Sequence, residues 1–322
     1  MTPRSLRVTA ADVLRFDDRV AVVTGAGGGL GRAHALLLAE RGARLVVNDT
    51  GGAVDGTGGS STAAEKVAQE VSRAGGIAIA DGHSVATLDG AAALIERGLA
   101  TFGRVDIVVN NAGTTGRSSM ADLNVERLET AFASHLLGSF WTTKAVWQHM
   151  LDRGYGRIVN TGSGVGYFGM GGATIYAAAK MGIDGLTRSL AIEGAPHGIK
   201  VNCLAPVAQT RMAGTVYGDL ADHVPPDLVS NVVGYLAHES CAWNGRVLSA
   251  GGGRVAEIVI AVTNGIFDPN LTVEEVASRT AEITARDDLF EPFDALDEVE
   301  VTAKLHGMCL ERATAPIHRE RL

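Results

Sequence analysis

The chain of 322 residues is short of cysteine, of aromatic side chains and of positive charge. Its three cysteines, Cys203, Cys241 and Cys309, lie far apart without C-x-x-C spacing, which excludes a disulfide framework and fits free thiols in a reducing compartment. Aromatic residues make up only 5%, so Ala, Val, Leu and Ile must fill the core. Lys and Arg total 28 against 36 Asp and Glu, a net charge of −8, and no basic block occurs; a nucleic-acid-binding face is not expected. The nine histidines show no ligand spacing such as H-E-x-x-H, so no metal is expected. No apolar run reaches the roughly 18 residues that a membrane helix needs. The opening segment MTPRSLRVTAADVLRFDD lacks the apolar core of a signal peptide, and the final Glu320, Arg321, Leu322 is not the peroxisomal Ser-Lys-Leu address. The expectation is a cytoplasmic protein with neither membrane nor nucleic-acid partners.

Glycine, by contrast, is plentiful at 41 residues, and hydrophobic content is 46%, enough for a large core. Short β-type runs at Val20–Thr24, Arg44–Asn48, Ile77–Ala80, Asp106–Asn110, Arg157–Thr161, Lys200–Leu204 and Arg246–Ser249 alternate with helical patterns. Such alternation predicts an α/β protein, a doubly wound parallel sheet with helices on both faces. A main domain is expected over residues 1–253. Residues 254–322 form a C-terminal extension, too small for an active site of its own, that packs on the main domain or on a partner subunit. Within it Val255–Val262 is strand-like, Thr272–Ala285 is amphipathic behind a Thr cap, and Asp294–Glu300 is acidic.

The segment RVAVVTGAGGGLGRAHALLLAERGARLVVND reads as strand, glycine turn, helix and strand. Gly25, Gly29 and Gly31 at the join permit a tight turn and the approach of a pyrophosphate to the helix N-terminus. Asp49 ends the second strand about 20 residues on, where a carboxylate meets the adenosine ribose hydroxyls. It would repel a 2′-phosphate, and no Arg or Lys lies between Gly25 and Gly31 to compensate, so NAD is expected rather than NADP. The competing reading makes Asp49 a turn residue before Gly51 and Gly52. The stretch Gly51–Gly59 reads as a surface loop or a flap beside the adenosine.

Tyr176 and Lys180 stand four apart in a helical run, one turn from each other on one face. A free phenol keeps its proton until a pH of about 10, and a neighbouring ammonium favours its ionised form. The Gly-rich loop before them brings the Ser163 hydroxyl toward the same oxygen. A hydroxyl, a phenol and an ammonium so placed are a device for moving a proton at a substrate oxygen.

These pieces resemble the short-chain dehydrogenase/reductase family: TGAGGGLG at Thr24–Gly31 for its TGxxxGxG, NNAG at Asn110–Gly113, then Ser163, Tyr176 and Lys180, in order over most of the first 253 residues. The resemblance implies a Rossmann-type fold. It implies that Tyr176 is the acid/base, that Ser163 orients the substrate oxygen, and that Lys180 lowers the tyrosine pKa and bonds the nicotinamide ribose. It implies a cofactor cleft formed by Gly25, Gly27, Gly28, Gly29, Leu30, Gly31, Asp49, Ser84, Val85, Asn111, Ala112 and Gly113, with Tyr176 and Lys180 at its nicotinamide end. The family often has an Asp after the third strand for the adenine; here the best-matching position is His83, with Asp81 two residues before it, and no adenine contact is assigned. His135 replaces the asparagine that many members use to hold a relay water. A neutral imidazole suits such a relay and its pKa near 6.5 would make it pH-sensitive; the alternative is a histidine satisfied inside helix packing.

A narrower resemblance, through LVVNDTGG, the stretch around Tyr176, CLAPVAQTRM and LAHESCAWNGRV, is to the (3R)-hydroxyacyl-CoA dehydrogenase units of peroxisomal β-oxidation enzymes and their bacterial relatives. It implies oxidation of a 3-hydroxyacyl-CoA, with Arg211 or Arg117 available to CoA phosphates. Alternatives are a 17β-type hydroxysteroid or other bulky secondary alcohol, for which Tyr167, Phe168 and Met170 offer apolar surface, and a protein that senses NAD without turnover. Family members form dimers and tetramers through the helix carrying Tyr176; Ile183, Leu186 and Leu190 give it a second apolar side, as core packing also would. A homodimer or homotetramer is expected.

Overall fold

The computed structural model describes residues 13–53, 58–115 and 118–309. The first twelve residues, part of the Gly51–Gly59 stretch, Arg117 and residues 320–322 lie outside the described residues. The chain divides into two compact units at residues 257 and 258.

The first unit is built on an eight-stranded sheet in the order β3-β2-β1-β4-β5-β6-β7-β8. Its strands are β1 (Val20–Thr24), β2 (Arg44–Asn48), β3 (Ile77–Asp81), β4 (Ile107–Asn110), β5 (Gly156–Thr161), β6 (Ile199–Pro206), β7 (Val247–Gly251) and β8 (Arg254–Glu257). β1 to β7 pair in parallel, and β8 pairs antiparallel with β7. That last strand carries the unit four residues past the expected boundary at 253. β1 shows why the run VAVVT becomes a central strand: all five residues are buried, so neither face needs polar side chains. Ala21 and Val23 join one core layer with Leu38 of helix α1 (Gly29–Glu40), Val67 of α2 (Thr62–Arg73) and Val233 of α8 (Pro226–Ala237). Val20 and Val22 join the opposite layer with Leu94 of α3 (Leu88–Phe102), Met150 of α5 (Gly138–Arg153) and Ala191 of α7 (Thr174–Gly194). The sheet is therefore covered on both faces, as the alternation predicts.

Order reverses at β1, which lies between β2 and β4. Ligands of such sheets collect at the carboxyl ends of strands beside this switch point. Two further elements shape that end: α4 (Val125–Phe132), which passes into α5 through a π-helical turn at Ala133–Leu137, and the short α6 (Gly164–Phe168) after β5.

In the second unit β9 (Val262–Thr263) pairs antiparallel with β10 (Leu289–Phe290). The helix expected over 272–285 forms as α9 (Val273–Ser278) and α10 (Thr280–Ile283). Thr272 and Glu275 make a reciprocal capping box at its start, and Arg279 leaves helical geometry at the break. The acidic stretch opens α11 (Ala295–Leu305), where Asp294 accepts from the Leu296 and Asp297 N–H groups and Asp297 and Glu298 favour the helix N-terminus. Among the described residues no helix is long and apolar enough to cross a membrane.

Candidate active site

The glycine turn and NNAG form one hydrogen-bonded unit. The Thr24 hydroxyl accepts from the Asn111 and Ala112 N–H groups at 3.0 Å each, and the Asn111 amide donates to the Thr24 and Gly25 carbonyls at 2.9 and 3.1 Å. Gly25 adopts φ +62°, and a Cβ on it would lie 2.8 Å from Ala112 Cα. At Gly31 a Cβ would meet the Gly25 carbonyl oxygen at 2.2 Å, so only glycine lets α1 start so close beneath the turn.

Gly25, Gly28, Gly29, Leu30, Asp49, Ser84, Val85, Asn111, Ala112 and Gly113 all line one cleft of about 400 Å³. Gly27 sits behind Asp49 instead, the Asp49 Oδ2 atom accepting its N–H at 2.8 Å. The other Asp49 oxygen accepts from Gly51 N–H at 2.6 Å, so this residue is both turn-former and cleft wall. Asp81 is buried and accepts from the Asn48 amide at 2.8 Å and from the His83 N–H at 3.0 Å. It braces β2 against β3, and the wall beyond it is made by Ser84, Val85 and Ala86.

The segment after β6, where the family resemblance implies a substrate loop at Val207–His223, contributes to this cleft. Thr210 and Arg211 join its lining; Arg211 Nη2 lies 3.7 Å from where a Gly28 Cβ would stand. The guanidinium thus belongs to the glycine turn. A bare glycine floor, a helix N-terminus with no acidic residue in its first turn, and an arginine above it fit the pyrophosphate of a dinucleotide.

Tyr176, Lys180 and Ser163 converge at the ends of β5 and α7. Lys180 is buried, donates from Nζ to the Thr161 carbonyl at 2.6 Å, and lies 5.7 Å from the Tyr176 ring centroid. Ser163 caps α6, its oxygen accepting from Val165 N–H at 3.2 Å, and its hydroxyl is close enough to the Tyr176 phenol to favour the ionised form. Burial raises the Tyr176 pKa, the Ser163 hydroxyl works against that, and Tyr217 adds to the rise. Lys180 is not among these influences, so the lowering expected of it is absent in the protein alone and desolvation sets the direction. Burial brings Lys180 down to about 8, with the nearby Cys203 acting in the opposite direction.

His135 occupies the π-helical turn, a local irregularity common at functional sites. Its ring stands edge-on to Tyr176, centroids 5.2 Å apart at 88°, and its Nε2–H donates to the Thr114 carbonyl at 2.8 Å. Gly113 makes room for it, since a Cβ there would be 2.2 Å from the imidazole Cε1. Burial first, and then Lys180, lower its pKa to about 3. The expected pH sensitivity near 6.5 is thus lost: the ring stays neutral over the working range. Nδ1 is buried beside Gly113 without a partner among the described residues.

Tyr167 turns its hydroxyl inward while its ring stays 6.2 Å from that of exposed Phe168. Ile183 is buried and Leu190 packs on the core, while Leu186 is only partly buried.

A family model for short chain dehydrogenases matches residues 19–220. A short-chain type dehydrogenase/reductase of Mycobacterium tuberculosis is 45% identical over 83% of this chain and 94% of its own length. Among solved structures, the full-length peroxisomal multifunctional enzyme type 2 of Drosophila melanogaster is similar with a TM-score of 0.75 and 34% identity, over 92% of this chain and 50% of that one. This chain therefore spans about half of that enzyme. A 7α-hydroxysteroid dehydrogenase in complex with NADH and 7-oxo glycochenodeoxycholic acid matches at TM-score 0.68 and 27% identity, over 76% of this chain and 97% of that one.

Proposed function

Because the chain belongs to the short-chain dehydrogenase/reductase family and is an oxidoreductase acting on CH–OH groups, we propose that it oxidises a (3R)-3-hydroxyacyl-CoA to the ketone with NAD. The observation that carries this reading is the convergence of Ser163, Tyr176 and Lys180 at the carboxyl end of the sheet, where the glycine-floored cleft also opens. The nicotinamide dinucleotide, when bound, supplies the hydride acceptor. Tyr176 as phenolate takes the hydroxyl proton, and Ser163 orients the substrate oxygen toward it. Lys180 holds positive charge beside the phenol and bonds the cofactor ribose. His135, neutral and held to Thr114 through Nε2, has its Nδ1 without a partner among the described residues and offers it to a relay water. Arg211 serves the cofactor pyrophosphate rather than a CoA phosphate. Cys203 and Cys241, both free and buried, fit a cytoplasmic location.

The acyl-CoA substrate is supported by similarity to the type 2 multifunctional enzyme. Similarity to the hydroxysteroid enzyme keeps a steroid as the second reading. A panel of 3-hydroxyacyl-CoAs of graded chain length beside 17-hydroxysteroids, followed by NADH absorbance, separates them. Turnover is expected on acyl-CoAs; inactivity on every one of them retires this substrate.

Cofactor choice rests on Asp49. Its charge opposes a 2′-phosphate, so wild-type protein is expected to prefer NAD, and Asp49→Asn to lose about 10- to 100-fold of that preference, roughly 1.4 to 2.8 kcal/mol. The comparison is kcat/KM for the two cofactors. An unmodified enzyme that prefers NADP overturns the assignment.

A further inference from the structure

The segment 207–224 leaves the carboxyl end of β6 and returns to it, and backbone hydrogen bonds hold its two ends. Val207 N–H donates to the Ala250 carbonyl at 2.8 Å, which lays the outgoing chain against β7. Gln209 N–H donates to the Val224 carbonyl at 2.8 Å, which ties the outgoing chain to the returning one. A Cβ on Gly251 would stand 2.2 Å from the Val207 carbonyl oxygen, so a glycine at the end of β7 is what allows this approach. The stem is thus fixed before the loop begins.

Beyond the stem the chain runs through short turns, with Ala213 N–H donating to the Thr210 carbonyl at 3.1 Å and Val216 N–H to the Ala213 carbonyl at 3.0 Å. Bonds between such near neighbours do not set where the loop stands over the cleft. Gln209 supplies a longer tie, its Nε2–H donating to the Gly214 carbonyl at 3.0 Å. That bond closes a ring around residues 210–213, and Thr210, Arg211 and Met212 within the ring all line the cleft. Gly214, where the ring closes, adopts φ +53°, a conformation that favours glycine. The ring stands at the start of α1: a Cβ on Gly29 would lie 3.4 Å from Thr210 Cγ2, and one on Gly28 3.7 Å from Arg211 Nη2. The Gln209 amide is oriented by its partner, since the reverse placement would set two carbonyl oxygens against each other. Its Oε1 is buried without a partner among the described residues, a cost to stability that fits a side chain whose role is to place the loop.

We propose that Gln209 is a positioning residue for the cofactor: its carboxamide clasps the turn 210–213 and holds the Arg211 guanidinium over the floor of Gly28 and Gly29, ready for the pyrophosphate. The proposal rests on the assignment of Arg211 to that pyrophosphate. A clasp of this kind acts on binding and not on the proton transfer at Tyr176. It orders the arginine in advance, so the cofactor does not have to order it on arrival.

The test is Gln209→Met, which keeps the length and bulk of the side chain and removes the donor. Its dissociation constant for NAD, measured by isothermal titration of the full chain, is expected to rise about three- to tenfold, the worth of one hydrogen bond. Its kcat at saturating NAD is expected to stay at the wild-type value. Gln209→Asn, which keeps the amide but is too short to reach Gly214, is expected to match it and serves if the methionine variant does not fold. In an Arg211→Ala background neither substitution should weaken NAD further. Without cofactor, trypsin is expected to cut after Arg211 faster in both variants than in the wild type. Wild-type NAD affinity in the Gln209 variants overturns the proposal, and so does unchanged cleavage. An equal loss of affinity with and without Arg211 overturns it as well, since that result marks a general loosening of the loop. Failure of the underlying reading looks different: Arg211→Ala would then itself bind NAD as tightly as the wild type, and the clasp would fall with it. Affinity lost in Arg211→Ala but kept in both Gln209 variants retains the arginine and rejects the clasp alone.

Discussion

Tyr176→Phe is expected to lower kcat by about 10²- to 10⁴-fold, the range that a positioned acid/base contributes, while leaving cofactor binding near the wild-type value. The expectation follows from what the substitution keeps. The ring stays edge-on to His135, Lys180 keeps its bond to the Thr161 carbonyl, and Ser163 still caps α6 through Val165. Only the oxygen that exchanges the proton is lost. Steady-state kinetics with cofactor titration by fluorescence reads the two quantities separately. Direction matters as well: burial raises the Tyr176 pKa, so in the wild type the phenolate fraction, and alcohol oxidation with it, rises with pH, whereas ketone reduction, which needs the protonated phenol, falls. A variant with undiminished turnover would remove Tyr176 from the mechanism.

The architecture was legible because its signals are local. Runs such as Val20–Thr24 and Arg44–Asn48 are apolar and β-branched since both faces of a central strand are buried, and glycines punctuate them where the turn geometry demands. The proton-handling set was legible for a similar reason, as the four-residue spacing of Tyr176 and Lys180 survives folding of α7 unchanged. What the chain conceals is depth. His135 carries an ordinary pKa on paper and sits fully enclosed at a π-helical turn in the structure, where desolvation removes its titration from the physiological range. Neither the enclosure nor the change of helical register has a local sequence signal.

Tertiary approach is the second thing hidden. Arg211 follows β6 and lies far along the chain from Gly28, yet it closes over the glycine turn. Tyr167 sits in a Gly-rich stretch beside Phe168, where an aromatic pair reads as ligand surface; its hydroxyl is instead enclosed near Gly162. Asp49 illustrates a third limit. The strand-end carboxylate was expected either at the ribose or in the turn, and it accepts backbone N–H groups on both sides while still facing the cleft. Two readings framed as rivals are compatible when one group has two oxygens.

Lys180→Met is expected to abolish most turnover, on the order of 10²-fold or more, since in the proposed mechanism the residue supports the phenolate and binds the cofactor ribose. Its effect on stability runs the other way. Burial takes the folded-state pKa of Lys180 from 10.5 to about 8, so between those values the unfolded chain holds a proton that the native protein has released. Stability then rises with pH through this window as the buried ammonium is discharged. Below pH 8 the native state bears the whole cost of an enclosed charge, about 3 kcal/mol for a fall of that size. Methionine carries no such cost. It does forfeit the bond to the Thr161 carbonyl, a loss of about 1 to 3 kcal/mol that is independent of pH. The difference in unfolding free energy, variant minus wild type, is therefore expected to favour the variant most near pH 7 and to shrink by about 3 kcal/mol on going to pH 11. Urea unfolding across that range measures it. A difference that stays flat with pH would mean that Lys180 is solvated in the folded protein, and the enclosed ammonium beside Tyr176 would have to be given up.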